Sequence, residues 1–81
     1  MYRLITTPEV EEQVSLLPDE ALGPFAELVT LLEISPWSGQ PFGRSNPRGN
    51  MLTLAFGDGG LAVYFVLEEQ RESCLIRVTW L

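Results

Sequence analysis

The stretch Leu61-Ala62-Val63-Tyr64-Phe65-Val66-Leu67 constrains the fold more than any other part of this chain. Every position in it is apolar or aromatic, and it follows the turn-forming run Gly57-Asp58-Gly59-Gly60. A strand alternates its side chains between two faces. Leu61, Val63, Phe65 and Leu67 therefore share one face, and Ala62, Tyr64 and Val66 the other. A strand that is apolar on both faces belongs in a sheet covered on both sides. The rest of the chain offers about one layer of helix, so what covers the second face becomes the question on which function turns.

The helical layer comes first. Tyr2-Arg3-Leu4-Ile5-Thr6 is rich in strand formers. Thr7-Pro8 then reads as an N-cap followed by proline at the first helical position. Glu9, Glu11 and Glu12 suit the positive end of a helix dipole, and Val10, Val14 and Leu17 recur at helical spacing up to Leu17-Pro18. A second helix is predicted from Asp19 to Ser35-Pro36, with Leu22, Phe25, Ala26, Val29 and Leu32 as its buried stripe. Pro24 predicts an irregular N-terminal end. Two helices joined by about two residues form an antiparallel hairpin.

Residues 36–50 contain three prolines and three glycines without periodicity and read as one long loop, with Trp37 and Phe42 able to pin it to the body. From Met51 the period falls to two. Leu52, Leu54 and Phe56 share a face, the Asp58-Gly59-Gly60 turn leads into residues 61–67, and residues 68–72 form a polar turn. Strict alternation over residues 73–80 places Cys74, Ile76, Val78 and Trp80 on one face. Ser73, Leu75, Arg77 and Thr79 take the other. The predicted order is β-α-α-β-β-β: an α+β fold with a helical hairpin on one face of a small, mainly antiparallel four-stranded sheet.

Length and charge limit the function classes. Eighty-one residues at 46% hydrophobic and 20% charged make one folded domain, residues 1–81. A net charge of -6, from eleven acidic residues against five arginines with no lysine or histidine, argues against broad capture of nucleic acid or anionic membrane. Arginine nevertheless suits a local phosphate contact. One cysteine without histidine makes neither a zinc site nor a Cys-His pair, and no cofactor or metal is expected. With no apolar run of about 20 residues and no signal peptide, the expected location is the cytoplasm.

Several segments together resemble the RelE/ParE superfamily of bacterial type II toxins. Tyr2-Arg3-Leu4 leading into Thr7-Pro8-Glu9-Val10-Glu11-Glu12 resembles the family's first strand and acidic first helix. Leu31-Leu32-Glu33-Ile34-Ser35-Pro36 resembles the end of its second helix, and Met51-Leu52-Thr53-Leu54-Ala55-Phe56-Gly57 a sheet strand. Leu61-Ala62-Val63-Tyr64 is similar to the family's arginine-valine-leucine-tyrosine strand, with Leu61 in place of the arginine. The resemblance implies a toxin neutralised by a cognate antitoxin. It implies action on the ribosome through mRNA cleavage in one branch and on DNA gyrase in the other. The terminal Val78-Thr79-Trp80-Leu81 lacks the cation-tyrosine pair of the cleaving branch.

Cleaving RNA needs cations around the scissile phosphate and a group to protonate the leaving oxygen. Arginine, too basic to act readily as a base, is better cast as a phosphate clamp. Arg77 and Arg48 are the candidate clamps, and Tyr64 is the candidate proton donor. Arg44 and Arg48, with Ser45, Asn46 and Asn50, could hold phosphate or a partner's carboxylate. For Arg77 the competing reading is an ion pair with a turn glutamate, and for Tyr64 a core residue with its hydroxyl at the rim. Leu61, Val63, Phe65 and Trp80 are candidate partner contacts. The alternative function is a RelE-fold binding module without cleavage chemistry that forms a homodimer or partner complex through its apolar sheet face.

Overall fold

The structure, a computed structural model, describes residues 1–42 and 49–81. Among the described residues the chain forms β1 (Arg3–Ile5), α1 (Pro8–Ser15), α2 (Asp19–Ile34) and a 3-10 turn at Pro36–Ser38. β2 (Gln40–Pro41), β3 (Met51–Phe56), β4 (Gly60–Leu67) and β5 (Glu72–Trp80) follow. The strands make one sheet in the order β1-β5-β4-β3-β2. β1 runs parallel to β5, and the other pairs are antiparallel.

The sheet has a fifth strand where a structureless loop was expected. β2 pairs Gln40 with Thr53 and Pro41 with Leu52. Phe42 continues the ladder by donating its backbone N–H to the Met51 carbonyl at 2.9 Å. Pairing alternates along a strand, so Phe42 and Gln40 turn toward β3 and Pro41 turns its missing donor outward, as an edge strand allows. Two residues are too short for a visible period, and a proline at one of them hides the strand from sequence.

The helices start as their sequences dictate. The Thr7 hydroxyl accepts from the Val10 N–H at 3.1 Å, and Pro8 occupies the first position. α2 runs on through Pro24 to Ile34, and its buried stripe is Ala21, Leu28 and Leu32, with Phe25 half-buried beside them. The expected stripe was rotated: Leu22 and Ala26 face solvent. Both rows fit a helical period, and the one containing Ala21 lets α2 lie close on the sheet. No helix of the described residues is long and apolar enough to cross a membrane.

The core lies between this helical layer and one sheet face. Val10, Leu28 and Leu32 meet Leu52, Phe56, Ala62, Tyr64, Val66, Leu75 and Val78. Fully burying an aliphatic side chain of this size contributes ~1.5–3 kcal/mol. Two polar links fix the layers to each other. The buried Ser73 hydroxyl donates to the Leu32 carbonyl at 2.7 Å, and the Gln13 side-chain oxygen accepts from the Val78 N–H at 2.8 Å.

β5 does not alternate strictly. Its register against β4 pairs Val63 with Arg77 but Tyr64 with Leu75, leaving Ile76 as the extra residue of a β-bulge. Before the bulge Ser73 and Leu75 face the helices; after it Val78 and Trp80 do. The expected face sets are corrected accordingly: Leu75 and Arg77 lie on opposite faces, and Cys74 lies opposite Trp80's side of the sheet. An alternation rule cannot see an inserted residue.

The 3-10 turn docks where a side chain is absent. Tyr64 donates its hydroxyl to the Pro36 carbonyl at 2.5 Å. A Cβ on Gly39 would run into that hydroxyl and lie 2.7 Å from the Thr53 carbonyl oxygen, which belongs to backbone and cannot swing aside. Gly39→Ala is expected to lower stability by about 1–3 kcal/mol, read as a lower midpoint in urea at unchanged slope.

Candidate functional site

On the sheet face away from the helices, the strands present Met51, Thr53 and Ala55 from β3 and Leu61, Val63, Phe65 and Leu67 from β4. β5 adds Cys74, Ile76, Arg77 and Thr79, as the registers require. The four β4 residues share this face as the alternation predicts. Val63 is 7% exposed, walled in by its neighbours, whereas Leu61 is 42% exposed. This face has a shallow hollow of about 180 Å³ lined by Phe42, Met51, Val63, Ile76 and Arg77.

Each wall has a local cause. Met51 lies opposite Phe65, at the end of the β3–β4 ladder that Asn50 closes. The Asn50 carbonyl accepts from the Val66 N–H at 2.9 Å, and its side-chain amide donates to the Val66 carbonyl at 3.0 Å. Phe42 directly follows the short β2 and is held by its bond to Met51, and the bulge delivers both Ile76 and Arg77. Met51, on the face left over by Leu52, Leu54 and Phe56, was within reach of the period-two pattern. Ile76 had no sequence signal, since strict alternation assigned it to the opposite side from Arg77.

Arg77 is the charged group of the hollow. Among the described residues, Arg3 pairs with Glu72 and Arg71 with Glu68 at 3.5 Å, while Arg77 has no ion-pair partner. The expected alternative, a bond to a turn glutamate, is therefore not formed. Residues 43–48 contain no Asp or Glu, so that stretch offers no carboxylate either. Arg44 and Arg48 lie outside the described residues.

Two candidates sit on the wrong side of the sheet for this hollow. Tyr64 is fully buried among the helix-facing core residues. Burial pushes its phenol up to about 12, with the backbone at Gly39 pulling weakly the other way. A proton held that tightly, beneath the sheet, is not available to a leaving group on the open face. Trp80 packs against Phe56, ring centroids 5.8 Å apart, and borders a separate hollow of about 230 Å³ with Gln13, Leu16, Leu17 and Val78. It is not continuous with Leu61, Val63 and Phe65.

The segment leading to β2 is held from outside. Glu68 accepts from the Trp37 indole N–H at 2.7 Å and from the Tyr2 hydroxyl at 2.6 Å. These bonds hold the Glu68 carboxyl below the usual carboxylate range, and the Glu68 bond raises the Tyr2 phenol. Trp37 thus pins its segment to the β4–β5 turn, as expected. On the open face, burial and then the Glu72 carboxylate push the Cys74 thiol up, away from the thiolate. Among the described residues, the arrangement can seat an apolar group beside an anion bound by one guanidinium, Arg77 being the only titratable group in its lining.

The position of Tyr64 yields a pH test. Its phenol ionises near 10 when unfolded and near 12 when folded, so its contribution is complete below pH 10 and is lost as pH rises toward 12. Tyr64→Phe is expected to cost about 1–2 kcal/mol at pH 7 through the orphaned Pro36 carbonyl. The gap between wild type and variant should narrow from pH 10 to 12 in denaturant titrations, and a constant gap would refute the assignment.

No protein family matches the sequence, and no curated protein is similar to it by sequence. Solved structures are similar to it in fold. The isolated RelE toxin of E. coli superposes with a TM-score of 0.80 at 16% identity, covering 99% of this chain and 84% of that one. A chain of the intact E. coli RelBE toxin–antitoxin complex gives 0.81 at 15% identity, covering 100% and 98%. A chain of the RelBE2 toxin–antitoxin complex of Mycobacterium tuberculosis gives 0.78 at 17%, covering 99% and 98%. The fold of this chain is the RelE fold.

Proposed function

We propose that this chain is the toxin-type member of a toxin–antitoxin pair, held by a cognate antitoxin and directed at translation. The observation that carries the reading is the RelE fold over essentially the whole chain, in common with toxins whose structures include complexes with their antitoxins. The open sheet face supports it as well, because Arg77 stands there unpaired beside an apolar hollow. In this reading Arg77 contacts the scissile phosphate of mRNA, and Arg48 and Arg44 supply the further cations that a polyanionic substrate requires.

A second reading has its own support. Arg77 is the cation without an ion-pair partner on the described part of the open face, and the tyrosine that would donate a proton is sealed in the core. A RelE-fold binding module without cleavage chemistry fits both facts, and so does the apolar character of Leu61, Val63 and Phe65.

Induced expression in a bacterium, with and without the protein encoded next to this one, separates the two. The toxin reading expects growth arrest that the neighbour relieves, and a loss of mRNA cleavage of about 10²-fold in Arg77→Ala, the scale of removing one transition-state donor. Arg48→Ala measures the share of the other arginine. Unimpaired growth, with a stable complex between the two proteins, would favour the binding module.

A further inference from the structure

The hollow on the open face combines two demands that one ligand must meet together. Phe42, Met51, Val63 and Ile76 give it apolar walls, and at about 180 Å³ it takes one large aliphatic or aromatic side chain. Arg77 stands at its border with no carboxylate of the described residues bound to it. A cation beside an apolar hollow is satisfied by an occupant that brings a carboxylate with its apolar group. Phe42 is 49% exposed, so an entering apolar group would cover surface that now faces water.

The charge distribution narrows the occupant further. Glu9, Glu11, Glu12, Asp19, Glu20, Glu27 and Glu33 all lie on the two helices, behind the sheet. The middle of the open face carries no acidic residue on β3 or β4, and on β5 only Glu72, at its start and already paired with Arg3. An acidic segment approaching from the helical side is repelled, and one approaching the open face meets Arg77. A nucleic acid strand has to neutralise several phosphates along its path, whereas the described face offers Arg77 as its one cation without an ion-pair partner, Arg3 being held by Glu72.

We propose that the hollow is a docking site for an acidic segment of a partner protein in which a large apolar residue neighbours an aspartate or glutamate. The apolar side chain fills the space between Phe42, Met51, Val63 and Ile76, and the carboxylate pairs with Arg77. On the reading given above, this segment belongs to the neutralising partner. The docking itself is independent of any toxicity.

Peptide binding tests this directly. The probe is a labelled peptide carrying a Leu-Asp-Leu-Asp core, with a Leu-Asn-Leu-Asn peptide of equal length and a short oligoribonucleotide as comparisons. Binding to the full chain is followed by fluorescence anisotropy and by backbone amide chemical shifts. The acidic peptide should bind about tenfold more tightly than its amide analogue, with shifts at Met51, Val63, Ile76 and Arg77. Arg77→Gln should erase the preference for the acid while leaving the spectrum folded, and Val63→Ala should weaken both peptides. Equal affinity for acid and amide, shifts confined to another surface, or tighter binding of the oligoribonucleotide at the same residues would each overturn it. A growth test without arrest removes the toxin reading and leaves this result standing; loss of the acid preference removes the docking site and leaves the growth test unaffected.

Discussion

The β-bulge at Ile76 is the constraint on which the functional face depends. β5 lies between β1 and β4, so its side chains must serve the core on one side and the open face on the other. With strict alternation Leu75 and Arg77 would share a face. Either the guanidinium would then enter the apolar core or Leu75 would leave it, and an unpaired buried charge is far the more expensive of the two. One extra residue removes the conflict. Leu75 and Val78 both reach the core, and Arg77 emerges opposite Val63.

The same sheet is stabilised almost wholly from one side. Tyr64 and Ser73 are the polar side chains taken into the interior, and each hydroxyl ends on a backbone carbonyl, of Pro36 and Leu32 respectively. Those bonds place the 3-10 turn and α2 against the sheet. They also commit Tyr64 to structure, so its chemistry is lost to the open face. The side of the sheet that carries the fold and the side that carries the candidate site are thus separate, and β4 contributes alternate residues to each.

Much of this was legible in the sequence. The Thr7-Pro8 start of α1, the helical hairpin, the β3–β4 hairpin and the division of residues 61–67 between two faces follow from local chemistry: a cap, a proline, a period of two, a glycine-rich turn. Gly57, at φ 62, takes a conformation that side chains resist. The RelE-like architecture was legible too, since element order and length survive where identity does not. The α2 stripe is not legible in this way, because Ala21 and Leu22 begin equally periodic rows and only the close approach of the sheet chooses between them.

What the sequence determined by itself is the inventory: one helical layer, a strand apolar on both faces, and acidic residues concentrated on the helices. What only the tertiary structure decided is which groups meet. β2, the bulge at Ile76 and the hollow joining Phe42 to Arg77 all depend on pairing between segments distant in the chain. The physical reason is that a strand's face is set by its register against a neighbour, and a one-residue insertion reverses every side chain beyond it. Local sequence carries the period but not the place where it is broken.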